Sequence, residues 1–332
     1  MVPALKIFGL GTYLPAAVSS TDLITQQGGD PKAWTGWPMI SVAGPEDHPS
    51  TMAARALREA LLDAGIDPSE LKLIFCTSTT RDYFQGSFTV AVEVMRLIGA
   101  PPTCIGLDIN LACTTTPIAM DLAGHWLGSR GDGGYAAIIG SERWSETADR
   151  VNASSSASFG DGASAIIVGI GSSAPSIAEF KGCVSYTKSD WSQILLARTG
   201  GTRPSPTTPD NGHPLSLYFD PSFDRGIYNM AFVRAFKSLF EQLKKQLALP
   251  PDFKPDRVVC SQVHPDMIKF VNAPVVGVQA EQVCLTATKY GHVGASDIVL
   301  GLKALRDEGQ LAGNIILQTS CPYSWTLGLV TA

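Results

Sequence analysis

The stretch Cys104 to Leu127, CIGLDINLACTTTPIAMDLAGHWL, decides how the rest of the chain is read. Its first part, Cys104 to Ala112, is apolar enough for a buried parallel strand and is broken only by Asp108 and Asn110. Then come Cys113, three threonines, Pro117 and an apolar stripe at Ile118, Met120, Leu122, Ala123 and Trp126, which predicts a helix. Thr115 or Thr116 is placed to cap it, and Pro117 fits the first turn, where its missing N–H would have had no partner. Cys113 therefore lies where a strand becomes a helix, against the unpaired N–H groups of the helix start. Their partial positive charge favours negative charge on sulfur, and the same groups can hold an oxyanion. Two readings of Cys113 fit this stretch equally: a nucleophile, or a small side chain packing the corner.

Outward from this corner, strands alternate with helices. Lys6 to Leu14 reads as an opening strand and Ser20 to Gln27 as a short helix, with a Gly/Pro/Trp-rich loop from Gly28 to Asp47. A helix over Thr51 to Ala64 stops at Gly65, a strand spans Leu71 to Thr77, and a helix over Gln85 to Leu97 ends before Gly99. Tyr135 to Gly140 and Phe159 to Gly171 supply further strands. Beyond Ser172 the pattern restarts, with a strand near Val184, a helix over Ser222 to Leu247 and a strand at Val258 to His264. Helices at Pro265 to Val276 and Gly294 to Asp307 flank a short strand at Val283 to Thr286, and strands at Asn314 to Ser320 and Thr326 to Thr331 close the chain. This alternation predicts an α/β fold with a mixed, largely parallel sheet and layered helices in each of two related lobes, residues 1–172 and 173–332.

Composition narrows the function. At 332 residues the chain can bury a large core, and 45% of its residues are hydrophobic. A net charge of −5 argues against nucleic acid or an anionic membrane as partner. No apolar run approaches membrane-spanning length, and Met1 to Ala16 lacks the marks of a signal peptide. The seven cysteines form no C-x-x-C pair, which predicts reduced thiols in a cytoplasm and no zinc site.

Five histidines carry the remaining chemistry. His48 and His213 lie in Pro/Gly loops and should be exposed, and His125 sits inside a helix, where packing is its expected role. His264 ends a strand and His292 lies in KYGHVGASD between a strand and a helix, the positions where sites assemble in open α/β sheets. His264, Asp266 and His292 also spell a two-histidine, one-carboxylate metal pattern, but that arrangement normally needs a double-sheet β fold and this chain is rich in helices. Ser141 in GSER lacks the nucleophile elbow of a serine hydrolase.

Read in order, GLGTYLP (9–15), DINLAC (108–113), FGDGASAIIVG (159–169), HPDMIKF (264–270), KYGHVGAS (289–296) and YSWTLGLV (323–330) resemble the thiolase-fold family, and within it β-ketoacyl-ACP synthase III. The resemblance spans nearly the whole chain. It implies two pseudo-symmetric lobes, a homodimer, no metal or cofactor, and an acyl group carried on Cys113 from a CoA or acyl-carrier-protein thioester.

The sequence departs from that family's pattern where the chemistry is done. The histidine of the family's H-Q-A-N motif matches His264 in a motif that reads HPDM, with Ser261 the other candidate for the position. The family's asparagine is replaced by His292. The Gly-rich loop becomes Ser320, Cys321 and Pro322, which assigns the oxyanion hole to the backbone N–H groups of Cys113 and Cys321. The arginine expected beside Trp37 is missing from WTGWPM, leaving Trp37, Arg150 and Lys269 as the residues to meet coenzyme A. Phe84, Ser87 and Phe88 lie where the family gates its acyl pocket. A histidine at position 292 resembles the Cys-His-His elongating synthases. It equally resembles a smaller branch that transfers acyl groups to hydroxyl or amine acceptors in natural-product pathways through a Cys-His-Asp triad, with Asp266 or Asp297 as the carboxylate. The expectation is an acyltransferase acting on a small-molecule acceptor. Decarboxylative condensation is the alternative reaction, and a non-catalytic partner subunit the alternative of another class.

Overall fold

The computed structural model describes residues 4–34, 36–83, 87–131, 133–146, 158–197, 217–219 and 224–332. Among them ten strands form one sheet: β1 (Leu5–Tyr13), β2 (Leu71–Thr77), β3 (Ile105–Asp108), β4 (Gly134–Glu142), β5 (Gly162–Ile170), β6 (Ala178–Thr187), β7 (Arg257–Cys260), β8 (Val283–Cys284), β9 (Asn314–Ser320) and β10 (Ser324–Thr331). Their order across the sheet is β8-β7-β9-β10-β6-β1-β5-β4-β2-β3. Counted from β1 the first half runs 1-5-4-2-3, and counted from β6 the second runs 6-10-9-7-8, the same order five strands on. The three outer strands of each half are parallel and the inner ones antiparallel. The halves join where β1 pairs with β6, from Leu5–Phe180 to Ile7–Ala178.

Five long helices layer onto this sheet: α1 (Pro49–Ala64), α2 (Val90–Ile98), α3 (Thr115–Arg130), α4 (Arg225–Gln246) and α5 (Asp297–Asp307). Ala119, Met120, Ala123 and Leu127 of α3 share one core with Ile298, Val299, Leu302 and Leu305 of α5 and with strand residues of both halves. These two helices are therefore sandwiched between the halves. A second core packs α1 and α2 on the far face of the first half, and a third packs α4 on the far face of the second. Helix α3 follows β3 and α5 follows β8, so the two central helices occupy equivalent places in the repeat.

Local chemistry accounts for the departures from expectation. Helix α2 begins at Val90 rather than Gln85 because Asp108, on β3, caps it by accepting from the N–H groups of Val90 and Ala91 at 3.0 and 2.9 Å. Strand β3 is shorter than the predicted buried strand, and it is the last in the sheet. With no neighbour on its outer side among the described residues, it leaves Ile105 and Leu107 exposed. The helix predicted from Pro265 to Val276 runs without a break from Pro265 to Val275, and widens into a π-helical stretch at Ile268–Asn272. His125 is exposed, bonded to the Asp121 carbonyl at 2.8 Å, and does not pack into the core. His48 is exposed as expected and precedes α1, and His213 lies outside the described residues.

Candidate active site

The corner before α3 is tightly wound. Ala112 takes a left-handed φ of 49°, which costs a residue with a side chain about 1 kcal/mol or more. Three local hydrogen bonds hold it there. The Ala112 N–H donates to Asn110 Oδ1 at 2.7 Å, the Leu111 N–H to Thr115 Oγ1 at 2.8 Å, and the Thr115 hydroxyl to the Ala112 carbonyl at 2.7 Å. Thr114, and neither Thr115 nor Thr116, is the cap residue, and Pro117 falls inside the first turn. Cys113 is thereby held, half-buried, at the mouth of α3.

The matching corner before α5 carries the base. Gly291 has φ 77° and ψ −166°, a region only glycine enters readily, and a Cβ there would stand 2.6 Å from the Ser158 carbonyl. This turn brings His292 alongside the 158–161 segment. Its N–H donates to the Ser158 carbonyl at 2.5 Å, its carbonyl accepts from Gly160 at 2.9 Å, and its ring lies 5.7 Å from that of Phe159. The FGDGAS turn thus serves as the seat of the histidine.

From that seat the ring spans two partners. Nε2 lies 3.1 Å from Cys113 Sγ, and Nδ1 lies 2.5 Å from Asp297 Oδ2 at the first turn of α5. Asp297 is itself fixed: Oδ1 accepts from the Val293 N–H at 2.9 Å, and Oδ2 also accepts from the Gln262 N–H at 2.6 Å. Burial alone would push His292 toward the neutral form. The charges of Asp297 and Cys113 and their hydrogen bonds outweigh it and raise its pKa well above the ordinary value. The Asp297 contact assigns the ring proton to Nδ1 and leaves Nε2 facing sulfur, the arrangement of a general base held by a carboxylate.

The structure separates other residues that the sequence grouped with these. His264 accepts at Nδ1 from the Asp266 N–H at 3.2 Å and sets its ring edge-on to Trp37, with centroids 4.8 Å apart. No hydrogen bond joins it to Cys113 among the described residues. Asp266 is largely exposed and stands 3.8 Å from His264, so Asp297 alone of the two candidate carboxylates reaches His292. The metal pattern fails for the same reason, since both ring nitrogens of His292 are committed to Cys113 and Asp297. Among the described residues no group of three or more His, Cys, Asp or Glu is arranged to hold an ion.

Trp37 is 1% exposed and packs with Ile24, Ile40 and Ala287, so it offers no face to a ligand. Lys269 is exposed, as is Ser87, and Phe88 packs against the outer core of the first half, edge-on to Tyr83. Arg150 and Phe84 lie outside the described residues. The oxyanion assignment to Cys321 is also corrected. Its N–H donates to the Ser324 carbonyl at 2.9 Å and closes the β9–β10 turn. Its thiol faces the site instead. Burial pushes that thiol up to about 12, despite the N–H groups of Tyr323 and Ser324 and the Thr114 hydroxyl directed at it, and the charge of Cys113 adds to the rise.

Gln262 escaped the sequence reading. Its amide donates to the Cys260 and Cys284 carbonyls at 2.9 and 3.1 Å and accepts from the Thr286 and Ala287 N–H groups at 2.8 and 2.9 Å. One fully buried side chain so ties the ends of β7 and β8 to the segment leading to His292, while its backbone holds Asp297. A long amide directly after an apolar strand was the available signal, because such a group is buried only where all its bonds are met.

The family model of 3-oxoacyl-(acyl-carrier-protein) synthase III matches residues 107–182. The β-ketoacyl-(acyl-carrier-protein) synthase III of Sphingopyxis alaskensis is 27% identical over 329 residues, 96% of each chain. That of Aquifex aeolicus is 26% identical over 345 residues, 98% of each. Among solved structures, the acyltransferase ChlB3 superimposes with a TM-score of 0.84 at 19% identity, over 99% of this chain and 98% of its own. Xanthomonas campestris OleA with bound lauric acid and lauroyl-CoA gives 0.80 at 19%, over 100% of both chains.

Proposed function

We propose that this thiolase-fold, β-ketoacyl-ACP synthase III-like chain is an acyltransferase that takes an acyl group from a CoA or carrier-protein thioester onto Cys113 and passes it to a hydroxyl or amine acceptor. The chain is an acyl-transferring enzyme; the acceptor class and a place in natural-product synthesis are the finer reading. The observation that carries it is the Cys113–His292–Asp297 relay, with contacts of 3.1 and 2.5 Å. An asparagine at position 292 could only donate a hydrogen bond or accept one. An imidazole backed by a carboxylate can remove a proton from an attacking O–H or N–H, which acyl transfer to such an acceptor requires.

In the first half-reaction, His292 Nε2 takes the Cys113 proton as sulfur attacks the thioester carbonyl. The tetrahedral oxyanion collapses, the new S–C bond stays, and the carrier leaves as a thiolate that recovers the proton from the imidazolium. In the second, Nε2 takes a proton from the acceptor as its oxygen or nitrogen attacks the acyl-Cys113 carbonyl, and Cys113 leaves. Asp297, whose charge and hydrogen bond raise the pKa of His292, strengthens Nε2 as a base in both steps, while the contribution of the Cys113 charge is lost once sulfur is acylated. Bound lauroyl-CoA in the OleA structure supports a CoA thioester as donor, and the carrier protein in the names of the sequence relatives supports that alternative. The unpaired outer edge of β3, with Ile105 and Leu107 exposed, supports a second copy of the chain as its partner in a homodimer.

Decarboxylative condensation is the second reading, favoured by the names of the sequence relatives. Product mass separates the two. Incubation with an acyl-CoA and candidate alcohols or amines should give an ester or amide that keeps every donor carbon. A product formed only from malonyl thioesters, with loss of CO2 and an extended carbon chain, overturns the acyl-transfer reading.

A further inference from the structure

We infer that the Ser261 hydroxyl is the second hydrogen-bond donor to the thioester carbonyl oxygen, in the place that Cys321 leaves empty. The inference rests on the acyl-transfer reading and adds to it a residue that touches the reacting atoms.

Backbone pairing continues one residue past β7, through the Ser261 N–H to the Gln318 carbonyl at 2.9 Å. The strand alternation therefore puts Ser261 on the same face as Val259, which belongs to the central core with α3 and α5. Two neighbours of this position, one along the chain and one across the sheet, lead to the site. The next residue, Gln262, gives its N–H to Asp297. Across the sheet, Ser320 gives its N–H to Ser261 Oγ at 3.1 Å, and Ser320 immediately precedes Cys321, whose thiol feels the charge of Cys113.

That hydrogen bond fixes the Ser261 oxygen as an acceptor and leaves its O–H without an acceptor among the described residues, although Ser261 is 1% exposed. A buried hydroxyl hydrogen with no partner destabilises the fold unless something else meets it. The oxyanion needs such a donor. The Cys321 N–H is closed into the turn and Pro322 has none, so the Cys113 N–H would otherwise stand alone in the role expected of two groups. A donor held by Ser320, with Gln262 beside it on Asp297 and Ser320 leading into Cys321, supplies it.

The test follows acylation of Cys113 by acetyl-CoA in a single turnover, read by intact mass, beside alkylation of Cys113 by iodoacetamide. Alkylation forms no oxyanion, so it reports the Cys–His pair alone. Ser261→Ala should slow acylation roughly 100- to 1,000-fold at saturating donor, the usual effect of removing one such donor, while alkylation keeps its wild-type rate. Should that variant also lose alkylation, Ser261→Thr and Ser261→Val decide, being equal in size and differing in the hydroxyl. Thr should keep acylation within about tenfold of wild type and Val should not. Acylation by Ser261→Ala at the wild-type rate, or equal rates for Thr and Val, overturns the assignment and leaves the acyl-transfer reading standing. A wild-type chain that takes no acyl group while still being alkylated overturns the functional reading first, and Ser261's role with it.

Discussion

Nδ1 of His292 and Oδ2 of Asp297 stand 2.5 Å apart with both side chains essentially buried, and the same Asp297 oxygen receives the Gln262 N–H at 2.6 Å. The carboxylate is thus pinned from two directions while it holds the ring. A buried charge of this kind survives because each of its two oxygens has a donor.

Asp297→Asn keeps the shape of this contact and removes its charge. The amide can present its NH2 group to Nδ1, which moves the ring proton to Nε2, where it blocks the sulfur. We expect acylation of Cys113 to fall by about 100- to 10,000-fold, as for the loss of a general base. Single-turnover rates measure it. A fall of less than fivefold would mean that the carboxylate only packs α5.

His292→Ala and His264→Ala should differ sharply. The first removes the group 3.1 Å from sulfur and should abolish acylation, while the second removes a ring bonded to Asp266 and packed on Trp37 and should only slow it. Parallel acylation time courses of the two variants check the ranking, and the opposite order refutes the assignment of the base.

The pH dependence of stability has a definite sign. Burial lowers the pKa of His292, but Asp297 and Cys113 more than offset it, so the folded-state value lies well above the ordinary 6.5. A group raised in this way adds stability that is complete below the unfolded pKa and is lost as pH rises through the folded one. Urea denaturation of wild type and His292→Gln at a series of pH values should show a stability difference that is largest below about pH 6.5 and shrinks in alkaline buffer. A difference that widens with rising pH contradicts the ion-pair account.

Gly291→Ala tests the seat of the histidine. The backbone region alone costs about 1–3 kcal/mol for alanine, and the Ser158 carbonyl 2.6 Å from the new Cβ adds to it. The denaturation midpoint should drop and acylation should slow with it, because the same turn aims His292. An unchanged midpoint would show that the 158–161 segment yields freely.

The layered α/β fold and its helix boundaries were legible because Gly65 and Gly99 end helices in left-handed conformations that glycine alone adopts cheaply. The corner at Cys113 was legible too, from an apolar run meeting Pro117. What stayed hidden depends on contacts distant in sequence. Asp108 sets the start of α2 from another strand, and edge exposure of β3 follows from sheet order, which periodicity does not encode. Asp266 and Asp297 were equivalent as letters near histidines. Only the turn at Gly291 and the entry to α5 decide that Asp297 faces the ring. Cys321 was assigned by its N–H, yet a tight turn spends that N–H on Ser324 and directs the thiol inward.

The most direct measurement of the central claim is the intact mass of the chain after incubation with an acyl-CoA, followed by peptide mapping. The account predicts one acyl adduct, located on Cys113, absent from Cys113→Ala and released on addition of a competent acceptor. An adduct that persists undiminished in Cys113→Ala, or a wild-type chain that takes no acyl group from any CoA or carrier thioester, would contradict it.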